Sequence, residues 1–216
     1  MTDFILFLLI GYLMGSLSSA IIVCKLMGLP DPRTQGSKNP GATNVMRIGG
    51  KKAAYATFIG DFLKGLLPVL IAAFVAGRGD AATVNLTDAA HFYPSSDIAI
   101  AGAALGAFLG HLYPLYFGFK GGKGVATLVG VLLGISPWIF ISFGAVWLVL
   151  LFTTGYVSLA SMVGAVVAAI TALLLGFAKA LVGVLMVLAV LVIYRHRDNI
   201  HKLLNGTENH FRKKKE

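Results

Sequence analysis

Four apolar runs constrain this chain more than any other feature: residues 4 to about 26, 53 to 76, 98 to 119 and, almost unbroken, 124 to 194. A helix rises about 1.5 Å per residue, so about 20 apolar residues cross a hydrocarbon core of about 30 Å. Each of the first three runs is therefore expected to be one span. Charged residues are only 12% of the 216 against 57% hydrophobic, too few to cover a soluble globule, so lipid must supply most of the surface. One continuous helical bundle over 1–216 meets this without a separate soluble module. The chain opens Met1-Thr2-Asp3, without the basic start of a signal peptide, so the first run is expected to stay as a span. Cys24, the single cysteine, reads as a small apolar filler.

Positive side chains resist translocation and mark cytoplasmic segments. Lys25, Arg33, Lys38, Arg47, Lys51 and Lys52 follow the first run, and Arg195, Arg197, Lys202 and Arg212 to Lys215 follow the last, so both segments are expected in the cytoplasm. The segment 77–97 sets Arg78 against Asp80, Asp88 and Asp97, which suits the outer side, as Asp3 does for the N-terminus. Span three returns to the cytoplasm at Lys120 and Lys123, so an even number of crossings must fit the 71 residues from Gly124 to Tyr194. Four of about 18 residues fit, with turns at Ser136-Pro137, Thr153 to Gly155 and Gly176 to Lys179. The expected fold is thus all-α, a polytopic bundle of about seven transmembrane helices (about 4–26, 53–76, 98–119, 124–135, 137–153, 157–176 and 179–194), N-terminus outside and C-terminus cytoplasmic. The fourth is short enough to be a half-helix or to need a neighbour that shields its ends.

Four segments at the expected cytoplasmic face carry candidate chemistry. Residues 36–47, Gly-Ser-Lys-Asn-Pro-Gly-Ala-Thr-Asn-Val-Met-Arg, are dense in donors, with Ser37, Asn39, Thr43, Asn44 and Arg47 able to serve an anion such as a phosphate ester. The alternative is a polar turn between spans. Gly121-Gly122-Lys123-Gly124-Val125-Ala126-Thr127 opens a helix, whose free N–H groups and partial charge add to Lys123. It is not a nucleotide loop, because Phe117 and Gly124 stand where that pattern needs Gly and Ser or Thr. An anion site or simple positive-inside anchoring remain. Ser158 and Ser161 in the segment from Gly155 either bind ligand or bridge helix carbonyls. His196, Asn199 and Leu203 share one side of an amphipathic segment that can also lie on the membrane surface.

Asp61 and Lys64, three apart on one helix face, are expected to neutralise each other within span two, either as functional charges or as an internal pair that orients the helix. His111 either packs between helices or backs the site. Gly11, Gly15 and Ser19 have the small-xxx-small spacing of helix contact. There is no His-Glu-x-x-His, no Cys or His cluster and no paired carboxylates, so zinc and two-metal chemistry are unsupported and no cofactor is called for.

Taken in order, Gly15-Ser16 through Ala20, Ser37 to Arg47, Asp61 to Gly65, His111 to Pro114, Gly121 to Thr127, Ser158-Leu159 and His196 to Leu203 resemble the PlsY family, bacterial glycerol-3-phosphate acyltransferases that draw on acyl-phosphate. Lys38 departs from the glycine that many members carry. The resemblance implies acyl transfer to the 1-hydroxyl of glycerol 3-phosphate, giving lysophosphatidic acid and phosphate, at the cytoplasmic face of the bacterial inner (plasma) membrane. Ser37, Arg47, Lys123, His196 and Asn199 would hold the phosphates. Asn39, Asn44, Thr127, Ser158 and Ser161 would complete the cradle. Acyl-phosphate, glycerol 3-phosphate and membrane lipids are the implied partners, with no nucleic acid and no obligate protein partner. Either His196 or a substrate phosphate would take the hydroxyl proton, the phosphate being favoured. A membrane transporter or channel for an anionic solute is the rival reading, and an acyltransferase fed by acyl-CoA or acyl-carrier protein a third.

Overall fold

The computed structural model describes residues 1–77 and 94–212, and among these every regular element is helical. Arg78, Asp80 and Asp88 of the expected outer segment, and Lys213 to Lys215 of the basic tail, lie outside the described residues. The elements are α1 (Thr2–Gly15), α2 (Ser19–Leu26), α3 (Ala42–Ala76), α4 (Pro94–Leu112), α5 (Val125–Ile135), α6 (Pro137–Thr154), α7 (Val157–Leu174), α8 (Lys179–Arg195) and α9 (Arg197–Leu204). Five stretches are long and apolar enough to cross a membrane: α1 with α2, α3, α4, α6 and α7. α8 joins them when counted with α9, from which it bends by 57°. This is a multi-pass membrane architecture.

The breaks within the long C-terminal run fall where the turn residues put them. Ser136 Oγ accepts from the Trp138 N–H at 3.2 Å with Pro137 opening α6, and Gly155 (φ 77°) and Gly176 (φ 75°) take left-handed backbone at the ends of α6 and α7. Three boundaries differ from expectation. The first run is broken at residues 16–18, where Ser16 Oγ turns back to the Tyr12 carbonyl at 2.7 Å. α3 starts at Ala42, inside the segment read as a loop, because Val45 on its first turns is buried against Ala20, Cys24 and Ala53; only at Gly50 (φ 77°, ψ −170°) does its helical backbone lapse. α4 ends at Leu112 instead of 119, since Pro114 disfavours helix at the residue before it.

Small residues set the contacts. Gly11 and Gly15 of α1 lie against Ala103 and Ala107 of α4, while Gly102, Gly106 and Gly110 of α4 lie against the backbone around Phe4, Leu8 and Tyr12. Ser19 meets Gly60 of α3. With no hydrophobic driving force between helices in lipid, this close backbone approach supplies dispersion contact. α5, only 11 residues and thus about 16 Å long, packs on α3 through Gly65, Gly130 and Gly134. Its Leu128, Val131, Leu132 and Ile135 join Phe108 and Leu112 of α4 and Leu181, Leu185 and Leu188 of α8 in the main core.

A methyl group at Gly106 would run into the Leu8 carbonyl, whereas at Gly144 in α6 it meets nothing within 4 Å. Gly106→Ala is expected to cost about 1–3 kcal/mol by overpacking, and Gly144→Ala to be neutral or to gain up to about 1 kcal/mol of helix propensity. Thermal unfolding of the two variants in one detergent checks the contrast.

Candidate functional site

The loop between α2 and α3 is shaped from within by Asn44. Its side chain, buried at the start of α3, accepts from the Ser37 N–H at 2.9 Å and donates to the carbonyls of Pro32 and Gln35 at 2.9 and 3.0 Å. Arg33 chelates Asp31 and also donates to the Phe117 carbonyl at 2.9 Å, pinning the loop to the turn after α4. Those hydrogen bonds from Arg33 hold the Asp31 carboxyl below its ordinary range. Ser37, Lys38, Thr43 and Arg47 are exposed and Asn39 is half-buried. Lys38 takes left-handed backbone, φ 58°, the conformation that glycine adopts at least cost.

The glycine-rich segment is folded back onto the end of α4. The N–H groups of Gly121 and Gly122 donate to the carbonyls of Leu112 and His111 at 3.2 and 3.3 Å. Arg195, at the end of α8, donates to the carbonyls of Gly121 and Gly122 at 2.8 and 3.0 Å. A side chain at Gly121 would strike the His111 and Leu112 carbonyls, so glycine is required there by approach alone. Gly124 (φ 83°) turns the chain into α5, whose first-turn N–H groups have no partner within the helix.

Lys123, from this segment, hydrogen-bonds Asn199 Oδ1 on α9. Asn199 Nδ2 donates at 2.7 Å to Glu208 Oε1, which also accepts from Ser158 Oγ of α7 at 2.9 Å. Glu208 Oε2 is buried with no hydrogen-bond partner. Burial pushes the Lys123 ammonium down from its ordinary value, with Glu208 opposing. His196, 4% exposed between α8 and α9, has Nδ1 at 2.8 Å from the Val192 carbonyl, which can only accept; burial brings its imidazole down to about 4. The ring is therefore neutral near pH 7, with its proton on Nδ1 and a lone pair on Nε2.

Ser158 and Asn199 are thus brought together on one carboxylate, with Lys123 joined to them through Asn199, from segments far apart in sequence. Two expected cradle residues spend their polar atoms inside the protein. Asn44 is one. The other is Ser161, which donates to the Val157 carbonyl at 2.8 Å and accepts from Trp147 Nε1 at 3.1 Å. Thr127 Oγ1 is buried and lies 3.1 Å from His111 Nδ1. Among the described residues no group of three or more His, Cys, Asp or Glu is placed to hold a metal. Sequence reasoning missed Glu208, Arg195 and Trp147. An acid within a mostly basic tail, which also carries Asp198 and Glu216, is the signal that could have found Glu208, because such a charge needs a cationic neighbour. The tail carrying it docks on the turn between α6 and α7. There the Phe211 N–H donates to the Gly155 carbonyl at 2.8 Å, Arg212 to that of Phe152 at 2.7 Å, and His210 meets Tyr156 edge to face.

The model of one protein family, described as glycerol-3-phosphate acyltransferase, matches residues 5–206. Curated proteins of that name are similar over nearly the whole chain. That of Thioalkalivibrio sulfidiphilus is 46% identical, covering 92% of this chain and 89% of its own. The Cupriavidus necator protein is 47% identical, covering 98% of each. Among solved structures, PlsY (YgiH), an integral membrane glycerol 3-phosphate acyltransferase, superposes in its glycerol 3-phosphate form with a TM-score of 0.82 at 37% identity, covering 96% of this chain and 95% of that one. Its lysophosphatidic acid form gives 0.79 at 38% identity over 95% and 94%.

The left-handed backbone at Lys38 generates a test. Lys38→Gly is expected to leave stability within about 1 kcal/mol, relief of strain offsetting added chain entropy. Lys38→Val, branched where φ is positive, is expected to cost about 1–3 kcal/mol. Thermal midpoints in detergent decide between them.

Proposed function

The chain belongs to the glycerol-3-phosphate acyltransferase family, and from that premise we propose that it moves a fatty acyl group from acyl-phosphate to the 1-hydroxyl of glycerol 3-phosphate, releasing lysophosphatidic acid and phosphate for phospholipid synthesis. The observation that carries this reading is that Asn199 and Ser158 donate to one carboxylate oxygen, with the Lys123 ammonium bonded to Asn199 beside them, next to the first-turn N–H groups of α5 that have no partner within the helix. A cradle that already holds a carboxylate among these donors has the chemistry of a phosphate site.

Seven crossings, an outer N-terminus and a cytoplasmic site in a bacterial inner membrane accord with the basic segments. So does the treatment of 1–216 as a single unit. In this topology α6, of 18 residues, is about 10 Å longer than α5. The two share the junction at Ser136, so the glycine-rich segment would sit recessed beneath the cytoplasmic surface. A water-soluble acceptor reaches such a recess from one side and a lipid-borne acyl chain from the other.

Acyl-phosphate is a mixed anhydride with a good leaving group, so orientation and charge stabilisation supply most of the barrier reduction. The 1-hydroxyl oxygen attacks the acyl carbon, the bond from that carbon to the phosphate oxygen breaks, and phosphate leaves with the electron pair. Lys123, Arg47, Ser37 and Asn199 hold the phosphates, with Asn39, Thr127 and Ser158 around them. Asn44 and Ser161 act from behind, one holding the loop and the other the helix. Glu208 keeps Ser158 and Asn199 in register. A phosphate dianion arriving beside His196 favours protonation of Nε2, which turns the ring into a donor. The leaving phosphate then takes the hydroxyl proton.

Purified protein with labelled glycerol 3-phosphate is expected to make lysophosphatidic acid when acyl-phosphate is the only donor, and not when acyl-CoA is. Product from acyl-CoA alone overturns the choice of donor. Lys123→Met and Arg47→Ala are each expected to lower turnover by about 100-fold or more, as loss of one charge stabiliser does, with the melting midpoint nearly unmoved. Ordinary rates in both variants overturn the site.

A further inference from the structure

Asp61, Lys64 and His111 are buried inside the bundle and none of them lines the cradle, yet they meet it at two points. Lys64 Nζ pairs with Asp61 Oδ1 at 2.8 Å and donates to the Leu17 carbonyl, freed by the break between α1 and α2, at 2.9 Å. The Asp61 carboxylate in turn lies 3.7 Å from His111 Nδ1. The first point of contact is Thr127, whose Oγ1 is 3.1 Å from that same nitrogen. The second is Gly122, where an added side chain would strike His111 Nε2 and whose N–H already donates to the His111 carbonyl.

We propose that His111 is a positioning residue for acyl transfer: with Asp61 beside the same nitrogen, it presents Nδ1–H to Thr127 Oγ1 and so leaves the Thr127 hydroxyl proton to the substrate phosphate, while its Nε2 edge forms the floor under Gly122. A carboxylate 3.7 Å from Nδ1 favours the proton on that nitrogen by its charge. Threonine has a single hydroxyl proton. Given to a bare Nδ1, that proton is spent inside the protein; accepting from Nδ1–H, the hydroxyl keeps it for the anion at the start of α5. Lys64 maintains the charge on Asp61, and its own reach to Leu17 fixes the pair in place. The break in the first span, the ion pair and the glycine-rich segment are then parts of one support.

This inference rests on the phosphate-site reading of α5, so wild-type turnover with acyl-phosphate and glycerol 3-phosphate, run alongside, judges that reading separately. An asparagine amide reaches the position of Nδ1, whereas a glutamine amide reaches that of Nε2 and fills the volume better. His111→Ala is expected to lose about 30-fold in kcat/KM, with a thermal midpoint within about 3 °C of wild type. His111→Asn should recover most of the loss and His111→Gln little of it. If glutamine serves as well as asparagine, or if kcat/KM follows the melting midpoint across the three variants, His111 only packs and the proposal falls. Should the variants fail to fold, 15N-histidine resonances of the wild-type protein in detergent decide. A ring identified by its contact to the Thr127 methyl and protonated on Nδ1 upholds the proposal; one protonated on Nε2 overturns it.

Discussion

Inside hydrocarbon an unpaired peptide N–H or C=O costs several kcal/mol, so a chain can leave helical geometry there only where another part of the protein takes over its hydrogen bonds. Each departure from helix that bears on the site has such a partner. The break between α1 and α2 gives its Leu17 carbonyl to Lys64. Two carbonyls of the glycine-rich segment go to Arg195, and two of its N–H groups go to the end of α4. The turn between α6 and α7 receives the tail through Phe211 and Arg212. What looks like irregular backbone is a set of paired interruptions, and the pairing brings the interruptions together.

The same constraint divides the charges. Exposed cations such as Lys51 and Lys52 need no acceptor from the protein. Arg195, Lys123 and Lys64 are each committed to an acceptor, because a buried cation without one would be too costly to keep. Commitment also orders the site. Asn199 lies between Lys123 and Glu208, and Ser158 shares the Glu208 carboxylate, so α5, α7, α9 and the tail are held in mutual register by a few short bonds.

Much of this architecture is legible in the sequence because its periods and punctuation are local. The turns at Ser136-Pro137, Gly155 and Gly176 could be placed to within a residue or two, since proline and left-handed glycine end helices whatever surrounds them. The neutralising pair Asp61 and Lys64 was readable from helical spacing, and the contact role of Gly11 and Gly15 from their interval. Harder to read were the break at residues 16–18 and the helical start at Ala42. Both depend on partners elsewhere in the chain, Lys64 for one and the packing of Val45 for the other.

The sequence by itself determined that the chain is an all-helical membrane protein with its donors concentrated in a few basic segments, because hydropathy, charge placement and turn chemistry each act over short stretches. Only the tertiary structure decided which donors face one another. Asn44 and Ser161 look like ligands in the sequence and are spent on their own backbone, while Glu208, an unremarked acid in a basic tail, turns out to join Ser158 and Asn199. A side chain's hydrogen-bond partners are fixed by where distant segments pack, and no local pattern carries that information.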